Sequence, residues 1–323
     1  MKKLIALLLA VLMLTGALSG CGTTAKNASA DQSYYTVGIC QLVQHEALDA
    51  ATKGFKDALI AELGDQVKFD EQNASGDPAN CTTIVNGFVA NKVDLIMANA
   101  TPALVAATAA TADIPILGTS VTDYASALEI DNWTGTVGTN VSGTSDLAPL
   151  DQQAAMIVEL FPDAKNVGIL YCSAESNSQY QVDVITGYLE GMGLTVKAFS
   201  FTDTNDVASV AQLACESSDV IYIPTDNTAA SNTEAIANVV LPAKVPVVAG
   251  EGGLCSGCGV ATLSLDYYDL GYATGVMAAK ILKGEAKVSE MPIEYAPVVT
   301  KLYNAANCEA LGVTVPEGYE PLG

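Results

Sequence analysis

The chain has 323 residues and 33.3 kDa, with 14 basic residues, all lysine, against 36 acidic ones, a net charge of −22 and a pI near 4.1. Its length fits about two domains, and a 50% hydrophobic content supplies a sizeable core, which excludes disorder as the main state. Without arginine or a basic cluster, nucleic acid is excluded as a partner and anionic membrane surfaces are disfavoured; the single histidine, His45, rules out a histidine-rich metal site.

Residues 1–20 read as an address. Lys2 and Lys3 precede 11 unbroken apolar residues, 4–14, too few for the ~20 that span a bilayer but right for a signal peptide. The run ends at Leu18-Ser-Gly-Cys21, which resembles the bacterial lipobox, implying a mature N-terminus at lipid-modified Cys21. An ordinary signal peptide containing a cysteine is the alternative. Residues 21–33 are a small, polar tether, and no later segment reaches spanning length.

The elements follow in order. Val37-Gly-Ile39 starts a strand, and the next helix carries Leu48, Ala51, Phe55 and Leu59 on one face. A strand at 67–69, a helix near 78–91, the strand Asp94-Leu-Ile-Met97, a helix from Pro102 and the strand Pro115-Ile-Leu117 complete one α/β unit. The same landmarks then recur: Val167-Gly-Ile169 at an offset of 130, Val196-Lys197 at 129, Asp219-Val-Ile-Tyr222 at 125, and Val245-Pro246 at 131. Two Rossmann-like β/α lobes of like topology follow, with a cleft lined by the loops at the strand carboxyl ends.

Seven cysteines remain after Cys21, an odd number scattered through strands and helices, which is a poor disulfide framework. They read as small buried hydrophobes. Cys255-Ser-Gly-Cys258 is placed in a Gly-rich loop, where a structural or local-disulfide role suits it better than zinc or redox chemistry.

Gly38-Ile-Cys-Gln41 through His45-Glu-Ala-Leu-Asp49, Asn73-Ala-Ser-Gly-Asp77, Val93-Asp-Leu-Ile96, Asn140-Val-Ser-Gly-Thr-Ser-Asp146, Pro224-Thr-Asp-Asn227 and Asp266-Tyr-Tyr-Asp-Leu-Gly271 together resemble the ABC-transporter substrate-binding lipoproteins that bind aromatic amino acids. The resemblance implies a type I periplasmic-binding-protein fold with three crossovers. It places lobe 1 at residues 34–140 plus 265–288 and lobe 2 at 141–264 plus 289–323. Glu46, where the family usually has proline, and the stretch 130–139 around Trp133 depart from its pattern.

Thr101-Pro102 is read as an N-cap and first helical residue, and the free amides of that turn are also a ready carboxylate site. Ser120 and Thr122 end the neighbouring strand as turn formers or ligand contacts. Gln44 and His45 follow the first strand beside the cleft. Asn177 and Glu251 hold the equivalent loops of lobe 2, Asp146 and Asp266 lie at crossovers, and Asp266 also suits a helix N-cap. Asp226 and Asn227, after the strand at 220–223, face Thr101 and Pro102 in the repeat; they are expected either to hold a ligand ammonium or to cap the next helix. Trp133 is expected to cover a lobe edge or to stack on a ligand ring.

Enzyme readings fail. Gly143-Thr-Ser145-Asp-Leu147 lacks the last glycine of a nucleophile elbow, and no phosphate loop follows a strand. No cofactor is expected. The residues therefore read as an exported, lipid-anchored, monomeric binding protein of an ABC importer. It would close on an amino acid, aromatic by resemblance, and dock on a permease with its ATPase. A nucleoside- or sugar-binding receptor and a sensor-coupled receptor are the alternatives.

Overall fold

The structure, a computed structural model, describes residues 34–296 and 298–322; Cys21 and the leader lie outside them. The chain runs β1 (Tyr35–Gln41), α1 (Glu46–Leu63), β2 (Val67–Asn73), α2 (Pro78–Asn91), β3 (Leu95–Asn99), α3 (Thr101–Ala110), β4 (Ile116–Val121), the one-turn α4 (Tyr124–Ala127) and β5 (Val141–Ser145). It continues through α5 (Leu150–Leu160), β6 (Asn166–Cys172), α6 (Ser176–Gly191), β7 (Thr195–Phe201), α7 (Val207–Cys215), β8 (Val220–Ile223), α8 (Asn227–Ala230), α9 (Thr233–Ala243), β9 (Val247–Ala249), α10 (Gly252–Gly257) and β10 (Ala261–Ser264). It closes with α11 (Tyr267–Leu282), β11 (Glu294–Tyr295), β12 (Thr300–Tyr303), α12 (Ala305–Leu311) and β13 (Glu320–Pro321).

Two sheets result. The first is parallel, in the order β11-β5-β4-β3-β1-β2; the second runs β13-β12-β10-β9-β8-β6-β7, with β10 and β12 antiparallel. Stripped of their edge strands, both share one order, as the repeat requires. The repeated aspartates do the same work in each. Asp94 Oδ2 accepts the Thr36 amide at 2.7 Å, and Asp219 Oδ2 accepts those of Lys165 at 2.9 Å and Asn166 at 2.8 Å.

The centre of each sheet is buried on both faces, so β3 and β8 read as nearly continuous apolar runs whose alternate residues part to opposite sides. Leu95 and Met97 pack toward Phe55, Leu59 and Met277 of α1 and α11; Ile96 and Ala98 pack toward Phe88 and Leu104 of α2 and α3. In the second sheet Ile221 and Ile223 join one core, and Val220 and Tyr222 the other. Each such buried Val, Leu, Ile, Phe or Met side chain contributes roughly 1.5–3 kcal/mol over an exposed one.

Helices α1 and α11 are in near-backbone contact. Gly271 lies against the carbonyl of Ala51, Gly54 against that of Tyr268, and Gly275 against that of Phe55, and a Cβ on Gly271 or Gly54 would collide with the facing carbonyl oxygen. Thus α11, which follows every strand of the second repeat up to β10, belongs to the first sheet's helical layer.

Two expected boundaries differ. β5 pairs with β4, and β11 pairs with β5. Strands placed by resemblance after the first and last crossings therefore sit in the first sheet, and the crossings come after Ser145 and Tyr295 rather than at 140 and 288. Cys255-Ser-Gly-Cys258 also differs: Gly252 to Gly257 form α10, because the Glu251 carboxylate accepts the Gly253 and Leu254 amides and nucleates the turn. Trp133 packs beside Leu128 and Val137 on the first core, covering its edge. No helix among the described residues is long and apolar enough to cross a membrane.

Candidate functional site

The carboxyl ends of both parallel sheets face each other, and backbone strain concentrates on the first-sheet side. Ala100, between β3 and α3, has φ of +89°, and Ser120 in β4 has +54°, beside a register shift between Gly118 and Val121. Non-glycine residues hold such conformations only where the surroundings over-determine them, and they gather at binding sites. Ala100 is the cap position of α3, so Thr101 is its first residue rather than its cap; that corrects the expected register by one. The Thr101 side chain is thereby released from capping, and it is buried, as are Ser120 and Thr122.

At the crossings, Asp146 is 3% exposed. Its Oδ2 accepts the Tyr267 hydroxyl at 2.9 Å. Among the described residues five buried polar side-chain atoms have no hydrogen-bond partner: Asn99 Oδ1 at the end of β3, Thr262 Oγ1 within β10, and, at the strand ends and crossings named above and in the first turn of α6, Ser120 Oγ, Asp146 Oδ1 and Asn177 Oδ1. Such atoms are costly when truly unpaired, and the last three come from both repeats.

The second-sheet loops are more self-satisfied. Asp226 Oδ1 accepts the Ala229 amide at 2.8 Å and Oδ2 that of Cys172 at 2.6 Å, so both oxygens are occupied and capping of α8 accounts for the residue. Glu251 is similarly consumed by the start of α10. Asn227 gives its amide to Glu175 at 2.6 Å and turns Oδ1 to His45 Nε2 at 3.3 Å. Asp266 is exposed and caps α11 through Asp269, while Tyr267 beside it points inward. Gln44 is exposed at the rim.

Two cavities, each of about 310 Å³, open between the repeats. Leu42, Val43, Pro102, Glu175 and Asn227 are among the residues of the first; Gln44, His45 and Glu251 are among those of the second. That size is at the lower end of small-molecule sites, about 300–1,000 Å³. The described residues hold no cluster of three histidine, cysteine or acidic side chains suited to a metal.

Residues 36–319 match the family described as ABC transporter substrate binding protein. The chain belongs to that family. It is 35% identical over 320 residues, 96% of its length and 92% of the relative's, to the tyrosine-binding protein of Clostridioides difficile (strain R20291). Its structure resembles that of an ABC domain from Streptococcus pneumonia in complex with L-Trp, with a TM-score of 0.84 at 36% identity, over 88% of this chain and 97% of the other. A ligand-free, open substrate-binding protein with adhesive properties from Clostridium difficile gives a TM-score of 0.67 at 37% identity, over 89% of this chain and 98% of that one. The fold is that of type I periplasmic binding proteins, as expected, and the family is a solute-binding one.

In this substrate-binding protein the strand-end carboxyls are held in an unusual electrostatic state. Burial pushes Asp146 from the ordinary 3.8 up to about 6, against the hydrogen bond from Tyr267. Burial also lifts Glu251 to about 7 and raises Asp226, to which the neighbouring Glu175 charge adds. His45 is lowered, first by burial, while its Asn227 bond and the charges of Glu175 and Asp49 pull the other way. The Cys255 and Cys258 thiols are raised by burial, Cys258 to about 12, the opposite of a reactive pair. Glu175 and Tyr267 are absent from the sequence-derived set. Glu175 had no signal beyond its place after a strand; Tyr267 had its adjacency to Asp266.

Proposed function

We propose that the protein binds an aromatic amino acid between its two repeats and delivers it to an ABC permease, anchored outside the cell membrane by lipid on Cys21. The observation that carries the ligand reading is the set of unpartnered buried atoms Ser120 Oγ, Asp146 Oδ1 and Asn177 Oδ1. A zwitterion suits them. Asp146 offers a carboxylate oxygen to the ammonium, and Ser120, with the first-turn amides and hydroxyl of Thr101, offers donors to the carboxylate. The absence of arginine from the sequence leaves hydroxyls and helix amides for that task. Asn177 accepts from the opposite side. This assignment moves the ammonium from Asp226, whose oxygens are occupied, to Asp146. Similarity to a tyrosine-binding protein and to an L-Trp complex supports the aromatic class.

A thermal-shift screen against amino acids, nucleosides and simple sugars tests the class. A ligand at 100 times its Kd adds about 2.7 kcal/mol of stability; stabilisation by sugars or nucleosides alone would overturn the reading. For the anchor, Cys21→Ala should release or misprocess the protein, and a fully processed variant that stays in the membrane fraction counts against lipidation.

A further inference from the structure

We propose that Glu175 is a positioning residue that turns the Asn227 amide so that its oxygen faces His45 across the cleft, and that this pair latches the two repeats together. Glu175 occupies the N-cap position of α6, yet its side chain makes no hydrogen bond to the backbone amides of that helix. Its carboxylate reaches instead to the start of α8. Oε2 accepts from the Asn227 backbone at 3.1 Å, from Asn227 Nδ2 at 2.6 Å and from Asn177 Nδ2 at 3.2 Å. Oε1 accepts from the Thr228 amide at 2.8 Å and its hydroxyl at 2.7 Å.

Five donors converge on one buried carboxylate, so the orientation of the Asn227 amide follows from charge. Its NH2 must face Glu175, and only Oδ1 is left for the opposite repeat. His45 Nε2 meets that oxygen at 3.3 Å, 182 residues away in sequence. Against a fixed acceptor, His45 has to donate, which selects the Nε2–H tautomer. His45 is free to do so: it sits at the cap position of α1 in extended conformation and makes no side-chain capping bond. Among the described residues, this is the one hydrogen bond that joins a loop after β1–β4 to a loop after β6–β9.

The position of the pair gives it leverage. Asn227 and Ser231 line the first cavity, and His45 and Ser231 the second, so the contact stands between the two openings. Gly253, on the far side, has room for a Cβ only 3.2 Å from that of Glu46, so the repeats already meet closely there. Releasing His45 from Asn227 removes the polar link beside this contact and lets the openings merge into an exit path.

The amino-acid reading enters the latch only through the probe, L-tyrosine. Because the chain has one histidine, its ring nitrogens give a single set of 15N NMR signals that needs no assignment. With saturating L-tyrosine the parent should show Nε2–H. Glu175→Gln places an amide donor among donors and frees Asn227 to reverse, so the ring should shift toward Nδ1–H and L-tyrosine should leave about two- to tenfold faster. His45→Ala should show the same acceleration, and His45→Gln, which keeps a side-chain donor, should restore the parent rate to within about twofold. An unchanged ring signature in a folded Glu175→Gln protein overturns the positioning role. If Glu175→Gln does not fold, parent-like dissociation from His45→Ala overturns the latch. If the parent binds no L-tyrosine, it is the amino-acid reading that falls, and the latch is then decided without ligand: a ring signature that differs between the parent and Asn227→Ala supports it, and identical signatures refute it.

Discussion

Replacing Asp146 by asparagine should make the protein more stable and worse at binding. Asp146 is 3% exposed, has one hydrogen-bonded oxygen and one unpartnered oxygen, and is raised by burial from 3.8 to about 6. A shift of about two pH units is worth about 3 kcal/mol between the protonation states. Because the folded-state value lies above the unfolded one, this stabilisation is fully present below about pH 4 and is lost as pH rises through about 6. At pH 7.5 the ligand-free protein therefore carries the full penalty, and Asp146→Asn, which still accepts from Tyr267, should recover up to about 3 kcal/mol in chemical denaturation. Binding runs the other way. Loss of a buried charge partner for the ligand ammonium costs about 2–5 kcal/mol, roughly 30-fold or more in Kd. In the parent, affinity for L-tyrosine should fall about tenfold per pH unit below about 6, since the proton on Asp146 must first be displaced. Glu251 and Asp226 are raised as well, so the difference between parent and variant, not the parent curve alone, isolates Asp146. Calorimetry from pH 5 to 8 reads both. An Asp146→Asn protein that binds within threefold of the parent at pH 7.5 would refute the ammonium assignment, and a destabilised one would refute the burial penalty.

Asp226→Ala should behave conversely, losing about 1–3 kcal/mol of stability with the α8 cap and the Cys172 amide bond, while calorimetry shows affinity within a few-fold of the parent. Gly271→Ala pushes a methyl into the carbonyl of Ala51 and should cost about 1–3 kcal/mol or more, read as a lower urea midpoint at unchanged slope. Cys255 and Cys258, buried with raised thiols, should resist a thiol reagent at pH 8 and react only after denaturant is added; rapid labelling in the folded protein would contradict their inert packing.

The sheets were legible because their central strands are buried on both faces and because the pattern occurs twice. Asp94 and Asp219 keep matched positions since each clamps the amides entering its first strand, a local task that spacing can reveal. The expected α2 span needed no tertiary knowledge, with Asp77 capping it and Pro78 opening it. Elsewhere the deciding contacts are remote. Val141-Ser-Gly-Thr-Ser145 is too polar to announce a central strand, and its outer neighbour, Glu294 with Tyr295, lies about 150 residues on. Gly252 and Gly253 read as loop until the Glu251 carboxylate is seen to cap them. Of the chosen site residues, Ser120, Asp146 and Asn177 are left with free polar atoms, whereas Asp226, Glu251 and Asp266 are spent on caps, and residue type alone does not separate those outcomes. Glu175 escaped notice because its importance lies in which helix it serves, the neighbour's rather than its own.

The close seating of α11 on α1 bears on how the chain is assembled. The first sheet's helical layer lacks a member until residues 267–282 emerge, and its edge strand β11 arrives later still. The second sheet waits for β12 and β13, the last strands of all. During synthesis, then, neither half can ripen and wait for the other, as beads on a string would. The order of emergence interleaves the two halves, and cutting between Asp266 and Glu294 should leave both unfinished rather than trim one end.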